Sequence, residues 1–419
     1  MNIALILHET PARRLGGVEL YVLSLARQLT DAGHEVTCWY PRPEGGALGA
    51  VERSVVDGVP FHGVAVPVRR DVASRFRDDE VGAALVSLLR ERGTQVAHFH
   101  HLIGFTGSAL DLSVRAGIAS LFTAHDAWAY CNQCHLVRHN GHVCTEVPVD
   151  AATCARCLLG RVPGLARIAP LAVMTRLMDL RSRYLSAVIG RADVVLAASE
   201  YTRGHLTGAG VPAERVRLFP LGVSVDGVET VRARRTGRRG PLRVGYLGRL
   251  TFKKGLDVLV EAFSRLAPGA ATLDVHGHAE QGAYCEPILR RMMGLPGATY
   301  RGNYGPPDLA GILARLDVVV VPSREESYCL VAREAFAAGV PLVASRLPAL
   351  ADVLDDGVNA LVVAPGDAGE LADALSRLAA DEALCASLSA NVPSVRTVGD
   401  DARDVVDMYR TILSEPDRM

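Results

Sequence analysis

The sequence predicts an α/β protein with two doubly wound, Rossmann-like domains. Buried strands alternate with amphipathic helices along the 419-residue chain, as in parallel sheets that are covered by helices on both faces. The clearest strand is Val318 to Val321, four consecutive β-branched residues. The Arg- and Gly-rich stretch at residues 231–240 has no core-forming pattern and separates the two halves.

These patterns predict four segments. Residues 1–225 form an N-terminal domain that contains a cysteine-rich insertion at about 131–157. Residues 226–240 form a basic linker, and residues 241–398 form a C-terminal domain. Residues 399–419 are expected to form a helix that packs back on the N-terminal domain.

Composition excludes some classes of function. The chain has 45 basic and 46 acidic residues and a formal net charge of -1, so we expect no nucleic-acid partner and no general attraction to anionic membranes. The start, MNIALILHE, has no basic segment and only a short apolar run, which favours a first strand over a signal peptide. Nine cysteines, an odd number, favour reduced thiols and a cytoplasmic location.

The first strand, at residues 3–7, leads through the loop HETPARRLGG into a helix at about 18–32. Gly16 and Gly17 permit close backbone approach at the start of this helix, which suits contact with a phosphate or with an acceptor substrate. Turn glycines are common, so this signal is weak by itself.

Histidines follow two strands of the N-terminal domain. In the run HFHH, alternation places His98 and His100 on one face of a strand. A metal site is one interpretation, but nearby carboxylates are lacking, which favours histidines of the core or of a binding pocket. His125 and Asp126 end the next strand, at the carboxyl edge where α/β proteins bind ligands. Asp126 either orients His125 or caps the following turn.

A cysteine-rich segment comes after Asp126. Two C-x-x-C pairs among reduced thiols are typical of a structural metal site, and Cys154 with Cys157 forms one chelating pair. The alternative is a set of small buried thiols.

An Arg-bearing amphipathic stretch occupies residues 165–190. Such a helix usually packs on its own domain, and the alternative is a peripheral membrane contact. No apolar run approaches the length of a membrane span.

The C-terminal domain begins with a strand at residues 242–247 and the segment GRLTFKKG. Gly248 makes the turn, and Arg249 and Lys254 then bring two cations to the ligand-binding edge. A diphosphate needs such compensation, since Arg offers a fork of donors and Lys a point charge. The segment is not a Walker A loop, because its lysine precedes the glycine and no Gly-Lys-Ser/Thr follows.

Two carboxylates flank a predicted helix N-terminus. Glu326 lies in the loop after the valine strand, and Glu334 lies on the helix at residues 328–338, on the order of 10 Å along the axis from its start. The first backbone N–H groups lack helical partners and can bind a phosphate. A nucleotide-sugar fits, with sugar hydroxyls toward Glu326 and ribose hydroxyls toward Glu334; the alternative is two solvated glutamates. The predicted binding residues at this helix start are Ser327, as N-cap, Tyr328, Cys329 and Leu330.

The segment PSREESYCLVAREAFAAGVPLVAS, residues 322–345, resembles a motif of the retaining glycosyltransferases of family four, which have the GT-B fold. GRLTFKKG, the GGVE run with Gly16 and Gly17, and the THD-like sequence that contains His125 resemble other elements of that family. The resemblance covers nearly the whole chain. Residues 327–329 are Ser-Tyr-Cys where the family often has Gly-Phe-Gly, which crowds the sugar pocket and leaves the sugar's identity open.

The resemblance also implies roles for individual residues. His125 would line the cleft beside the transferred sugar, and Arg249 with Lys254 would bind the donor diphosphate. Some members carry a similar cysteine-rich insertion. The cysteine positions shared with them predict one structural zinc bound by Cys131, Cys144, Cys154 and Cys157. Cys134 or a histidine could replace either of the first two ligands.

Together these features predict a glycosyltransferase that moves a sugar from a nucleoside-diphosphate sugar to an acceptor with retention of anomeric configuration. The N-terminal domain would bind the acceptor, which is a small molecule, a glycan or a lipid-linked group, and the C-terminal domain would bind the donor. His125 and Glu326 are the catalytic candidates, and no catalytic cofactor is expected because cations and a helix N-terminus offset the leaving charge. The alternatives are a GT-B sugar-nucleotide epimerase, which needs no acceptor, and a zinc-bearing binding module without turnover.

Overall fold

The structure is a computed structural model of the chain, and it divides into two compact units. The first comprises Met1–Gly222 and Arg396–Met419, and the second comprises Val223–Val395. Most of the predicted linker and residues 165–168 of the predicted amphipathic stretch lie outside the described residues. The structure describes residues 1–13, 16–43, 46–68, 71–144, 150–162, 164, 169–224, 226–228, 231–232, 240–279 and 284–415.

The first unit is built on one mostly parallel sheet. Its strands are β1 (Asn2–Ile6), β2 (Glu35–Arg42), β3 (Val51–Val56), β4 (Val59–Ala65), β5 (Val96–Phe99), β6 (Ala119–Ala124), β7 (Val194–Ala197) and β8 (Val216–Leu218). Their order is β3-β4-β2-β1-β5-β6-β7-β8, and the β3–β4 pair is antiparallel. The helices before the second unit are α1 (Gly17–Asp31), α2 (Asp79–Glu91), α3 (Thr106–Arg115), α4 (Ala151–Arg161), α5 (Leu171–Ile189) and α6 (Glu200–Gly208).

The second unit has its own parallel sheet. Its strands are β9 (Leu242–Leu247), β10 (Ala271–His276), β11 (Ala298–Gly302), β12 (Val318–Val321), β13 (Leu342–Ser345) and β14 (Ala360–Val363), in the order β11-β10-β9-β12-β13-β14. The helices are α7 (Leu256–Phe263), α8 (Cys285–Met293), α9 (Pro306–Leu313), α10 (Leu330–Ala337), α11 (Ala368–Ala380) and α12 (Glu382–Ala390). All four valines of β12 are buried, as the apolar run predicts.

Strand order in the first unit brings the carboxyl ends of β1, β5 and β6 together at one edge of the sheet. In the first sheet Ile6 of β1 lies opposite Phe99 of β5, and Phe99 lies opposite Phe122 of β6. These side chains are buried, so the register is held by the core. The residues that follow β5 and β6 therefore emerge side by side at one edge.

The last helix, α13 (Val398–Ser414), belongs to the first unit and packs against α1. It begins one residue before the predicted segment 399–419, because Thr397 and Asp400 form a capping box. Asp401, which is completely buried, accepts hydrogen bonds from the Tyr21 hydroxyl at 2.8 Å and from the Gly222 N–H at 2.7 Å. The Arg396 Nε donates to its other oxygen at 2.5 Å.

Helix α5 contains the described part of the predicted amphipathic stretch. Met174, Met178 and Leu185 are buried, and the helix contacts α4 and α3. The stretch therefore packs on its own unit, which is the first of the two expectations. Among the described residues no helix is long and apolar enough to cross a membrane.

Candidate functional site

In the second unit, the loop after β12 is held by a buried ion pair. The Lys254 Nζ lies 2.7 and 2.9 Å from the two carboxylate oxygens of Glu326, and the Ser323 hydroxyl donates to Glu326 at 2.7 Å. Burial opposes the ionisation of Glu326, but Lys254 outweighs it and holds the pKa of this carboxyl below its usual range. The pKa of Lys254 is raised by the same partner against the effect of its own burial. Both groups are therefore charged at neutral pH.

A second pair repeats this arrangement one residue earlier in each segment. Lys253 lies 2.6 Å from the buried carboxylate of Glu325, whose pKa is raised by burial. Next to it, Arg324 contacts both carboxylate oxygens of Asp257, at 2.8 and 2.6 Å. These contacts hold the loop after β12 against the segment between β9 and α7 and against the first turn of α7.

The same close approach explains a glycine of GRLTFKKG. Gly255 has φ 69°, in the left-handed region, and an added Cβ would lie 2.0 Å from the Pro322 carbonyl oxygen. Only glycine meets both requirements. At the other end of the segment, the Tyr246 hydroxyl donates to the Arg249 carbonyl at 3.0 Å and positions that residue's backbone.

Helix α10 begins later than the sequence predicts. Cys329 has φ 64° and ψ 79°, so it is left-handed and acts as the N-cap without a side-chain capping bond, and the first helical residue is Leu330. The expected cap at Ser327 and helical start at Tyr328 are therefore wrong, because the chain turns at Cys329 before it enters the helix. The N–H groups of the first turn still lack helical partners.

Glu334 lies on α10 and is half-buried. Burial raises the pKa of its carboxyl to about 7. Within the described part of the chain this carboxylate has no hydrogen-bond partner, and burial is the sole cause of its shift. Burial and the Glu334 charge raise the pKa of the nearby Tyr304 hydroxyl. An acid with this pKa, in a position to accept hydrogen bonds, is typical of a binding site.

Tyr328 is fixed in place by Arg333. The Arg333 guanidinium lies 3.5 Å from the centroid of the Tyr328 ring and donates to the Tyr328 carbonyl at 2.5 Å. It also contacts both carboxylate oxygens of Asp352, at 3.1 and 2.8 Å. The three residues stabilise the turn before α10.

In the first unit, His125 follows β6 and is hydrogen-bonded to a histidine that follows β5. The His125 Nε2 lies 2.9 Å from the Nδ1 of His100. His100 is 1% exposed, and its own Nε2 is buried without a hydrogen-bond partner among the described residues. Both rings, with Asp126 and Trp128, line a small cavity. The sequence predicted only that His100 shares a strand face with His98. In the structure the ring centroids of these two histidines lie 4.1 Å apart.

Asp126 is committed to other partners. The Ile103 N–H donates to the His101 Nδ1 at 3.0 Å, so the proton of His101 is on Nε2, which donates to Asp126 at 3.1 Å. The other Asp126 oxygen accepts from the Trp128 N–H at 2.8 Å and caps the turn. The sequence predicted that Asp126 either orients His125 or caps the following turn. In the structure it caps the turn.

Burial keeps these histidines neutral. It lowers the pKa of His98 and of His125 to about 3, and it lowers the pKa of His100 well below the usual range. Burial opposes the ionisation of Asp126, but His101 and the Trp128 N–H bring its pKa to about 2. Near neutral pH the imidazoles of His98, His100 and His125 are therefore neutral, and the carboxyl group of Asp126 is ionised.

The glycines before α1 lie against a carboxylate. Gly16 is the N-cap of α1, and Gly17 is its first residue. A Cβ on Gly16 would lie 2.4 Å from an oxygen of Glu19, which is buried and lies 3.1 Å from the His8 Nε2. Glu19 therefore lies close to the position at which the sequence predicts a phosphate. Close packing of the Glu19 carboxylate explains why residue 16 is a glycine.

The predicted zinc ligands share a cavity but do not form a metal site. Among the described residues, no three His, Cys, Asp or Glu side chains are arranged to hold a metal ion. Burial, together with the neighbouring cysteines, raises the pKa of Cys154 to about 12. The expected structural zinc is therefore not supported, because a tetrahedral site needs four ligands around one point. The cysteines that line the cavity are Cys131, Cys144, Cys154 and Cys157.

Comparison with known proteins agrees with this architecture. The family described as "Glycosyltransferase Family 4" matches residues 15–226, and the family described as "Glycosyl transferases group 1" matches residues 241–381. The D-inositol 3-phosphate glycosyltransferase of Acidothermus cellulolyticus is 32% identical over 396 residues, which are 87% of this chain and 78% of that protein. Two further curated relatives, 33% identical over 204 residues, match over 47% of this chain and 48% of their own, so the chain spans about half their length.

Solved structures share the fold at low sequence identity. Sucrose-phosphate synthase from Thermosynechococcus elongatus has a TM-score of 0.72 at 22% identity and covers 99% of each chain. HepE from Anabaena, in complex with UDP and glucose, has a TM-score of 0.63 at 18% identity and covers 98% of each chain. The predicted GT-B fold is confirmed. The chain belongs to the glycosyltransferases that combine a Family 4 domain with a group 1 domain.

Proposed function

We propose that this protein transfers a sugar from a nucleoside-diphosphate sugar to an acceptor hydroxyl with retention of anomeric configuration. The proposal rests on the groups around the start of α10. These are the Lys254–Glu326 ion pair at 2.7 Å and the carboxyl group of Glu334, which has no hydrogen-bond partner among the described residues. A cation, a carboxylate and a helix N-terminus are the groups that a nucleotide-sugar requires.

In this proposal the second unit binds the donor. The diphosphate binds to the first N–H groups of α10, and Lys254 and Arg249 offset its charge. Sugar hydroxyls donate to Glu326, and ribose hydroxyls donate to Glu334. These fixed charges stabilise the leaving diphosphate, and this step requires no metal ion.

The first unit would then bind the acceptor, with His125 contributing to transfer. The acceptor hydroxyl attacks the anomeric carbon on the face from which the diphosphate leaves, the bond from that carbon to the phosphate oxygen breaks, and a phosphate oxygen takes the acceptor's proton. We assign no protein nucleophile. The role of His125 in transfer is supported by its charge state. Burial lowers the pKa of His125 to about 3, so its imidazole is neutral and suited to hydrogen bonding.

Binding of intact UDP-, ADP-, GDP- and dTDP-sugars, measured by calorimetry, tests the donor site. The preferred donor is then incubated with candidate acceptors, beginning with D-inositol 3-phosphate, which the name of a relative suggests. Product NMR should show the anomeric configuration of the donor. Release of nucleoside diphosphate should depend on the acceptor. Conversion of the donor's sugar without an acceptor would indicate an epimerase, and no binding of any nucleotide-sugar would refute the proposal.

A further inference from the structure

We propose that His100 is a positioning residue that fixes the tautomer of His125 and presents its Nδ1–H to the substrate. The role of His125 in transfer rests on the proposed function, but the hydrogen bond between the two rings does not. The Nδ1 of His100 and the Nε2 of His125 are 2.9 Å apart, and burial keeps both rings neutral at pH 7. One ring must therefore donate and the other accept.

The surroundings of His100 decide which ring donates. If His125 donated through Nε2, the proton of His100 would be on its own Nε2, a buried nitrogen without a hydrogen-bond partner among the described residues. Buried donors without partners are rarer in proteins than acceptors without partners. The favourable arrangement has the His100 proton on Nδ1, donating to the His125 Nε2.

The hydrogen bond from His100 also fixes the protonation of Nδ1, the other ring nitrogen of His125. Its single proton is then on Nδ1, which has no hydrogen-bond partner within the described residues, and the residue is only partly buried. His125 thus offers an N–H donor, and not a lone pair, to a ligand. Among the described residues the hydrogen bonds of Asp126 come from His101 and from the Trp128 N–H and not from His125, so Asp126 does not set this tautomer through a hydrogen bond.

His98 provides a matched control. It is buried to the same extent as His100, and its ring centroid lies 4.1 Å from that of His100. Its nitrogens are hydrogen-bonded to the hydroxyls of Tyr409, at 2.6 Å, and Thr123, at 2.7 Å, and not to His125. Replacing His98 therefore perturbs the same part of the core without removing the donor to His125.

The test is the tautomer of His125, measured by NMR on the full chain labelled with ¹⁵N and ¹³C histidine. Loss of one set of imidazole signals in His125→Asn assigns the residue among the 13 histidines. We expect the Nδ1–H form in the wild type. In His100→Phe, which keeps a ring but removes the donor, His125 should shift toward the Nε2–H form that a neutral histidine side chain prefers in water. His100→Asn, whose amide nitrogen can replace the Nδ1 donor, should retain the wild-type form, and so should His98→Phe.

Turnover gives the functional readout. His100→Phe should lower kcat by about 10-fold or more, with little change in the KM for the donor, and His100→Asn should restore most of it. A wild-type His125 in the Nε2–H form would overturn the inference even if His100→Phe failed to fold. An equal tautomer shift in His98→Phe would also overturn it, since the effect would then be a general core disturbance. If the protein transfers no sugar, the proposed function fails while the spectra still decide the hydrogen bond.

Discussion

Lys254 and Glu326 are joined by a buried ion pair, with the lysine nitrogen 2.7 Å from one carboxylate oxygen and 2.9 Å from the other. The two residues are 72 positions apart in the sequence. Lys254 ends the segment after β9, and Glu326 lies in the loop after β12. Because β9 and β12 are neighbours in the sheet, the pair closes the edge at which the proposed donor binds.

Lys254→Met should weaken nucleotide-sugar binding by about 10- to 150-fold, because a hydrogen bond to a charged group is lost. It should also lower the free energy of unfolding by about 3 kcal/mol, since Glu326 remains as a buried carboxylate without its cation. Lys253→Met is the control, because Lys253 is the neighbouring lysine and forms an ion pair with the buried Glu325 at 2.6 Å. The control should lose similar stability and keep its nucleotide affinity in calorimetry. Equal nucleotide affinities in the two variants would contradict the assigned role of Lys254.

The pKa of about 7 for Glu334 predicts a pH-dependent donor affinity. Ribose hydroxyls donate to the ionised carboxylate, so below its pKa a proton must be removed before binding. Affinity for an intact nucleotide-sugar should fall by about 10-fold from pH 8 to pH 6. Glu334→Gln cannot titrate and should bind weakly with no such pH dependence. The same pH profile in wild type and Glu334→Gln would assign the effect to another group.

His125→Ala should reduce transfer by a factor on the order of 10² to 10⁴ without changing donor binding in the second unit. The reason is that His125 offers a neutral N–H donor at the carboxyl edge of β6. Initial rates with saturating donor check this, and circular dichroism checks that the fold survives. A fully active variant would return His125 to a structural role.

Position 329 should tolerate glycine and reject β-branched residues. Cys329 is left-handed, with φ 64°, and glycine adopts this conformation without strain. Cys329→Gly should therefore change the free energy of unfolding by less than about 1 kcal/mol, because relief of strain offsets the lost burial of the thiol. Cys329→Val should lower it by more than about 2 kcal/mol. Denaturant unfolding of both variants provides the measurement, and equal stability would show that strain at this residue is negligible.

Asp401 should be a strong stabilising contact between α13 and the rest of the first unit. Asp401→Asn replaces one of the two acceptor oxygens by an NH2 donor at a completely buried position, so either Arg396 or both Tyr21 and Gly222 lose their acceptor, and the free energy of unfolding should fall by about 3 kcal/mol. Asp404→Asn is the control, since Asp404 also contacts Arg396 but is 51% exposed. The control should change stability by less than about 1 kcal/mol. If both variants unfold at the same denaturant concentration, the buried network contributes little.

Much of the fold could be predicted because its signals are local. The valines of β12 and the alternation of strands and helices identify doubly wound sheets, since burial on both faces requires continuous apolar strands. Lys254, Glu326 and Glu334 could be chosen because each follows or flanks a predicted element at a ligand-binding edge. The sequence also contains Lys-Lys at 253–254 and Glu-Glu at 325–326. These repeated charges were an unused signal for the two ion pairs.

By itself, the sequence determined the fold class, the boundaries of strands such as β9 and β12 and the residues that bear the candidate chemistry, because periodicity and turn residues act over short distances. The tertiary structure alone decided which of those side chains meet. The partnership of His100 with His125 depends on β5 and β6 being neighbours, and that of Asp401 with Tyr21 joins residues 380 positions apart. It also decided that α10 begins at Leu330, because the backbone of Cys329 turns left-handed before the helix. Side-chain pairing across a sheet follows from strand order and register, which no local pattern specifies.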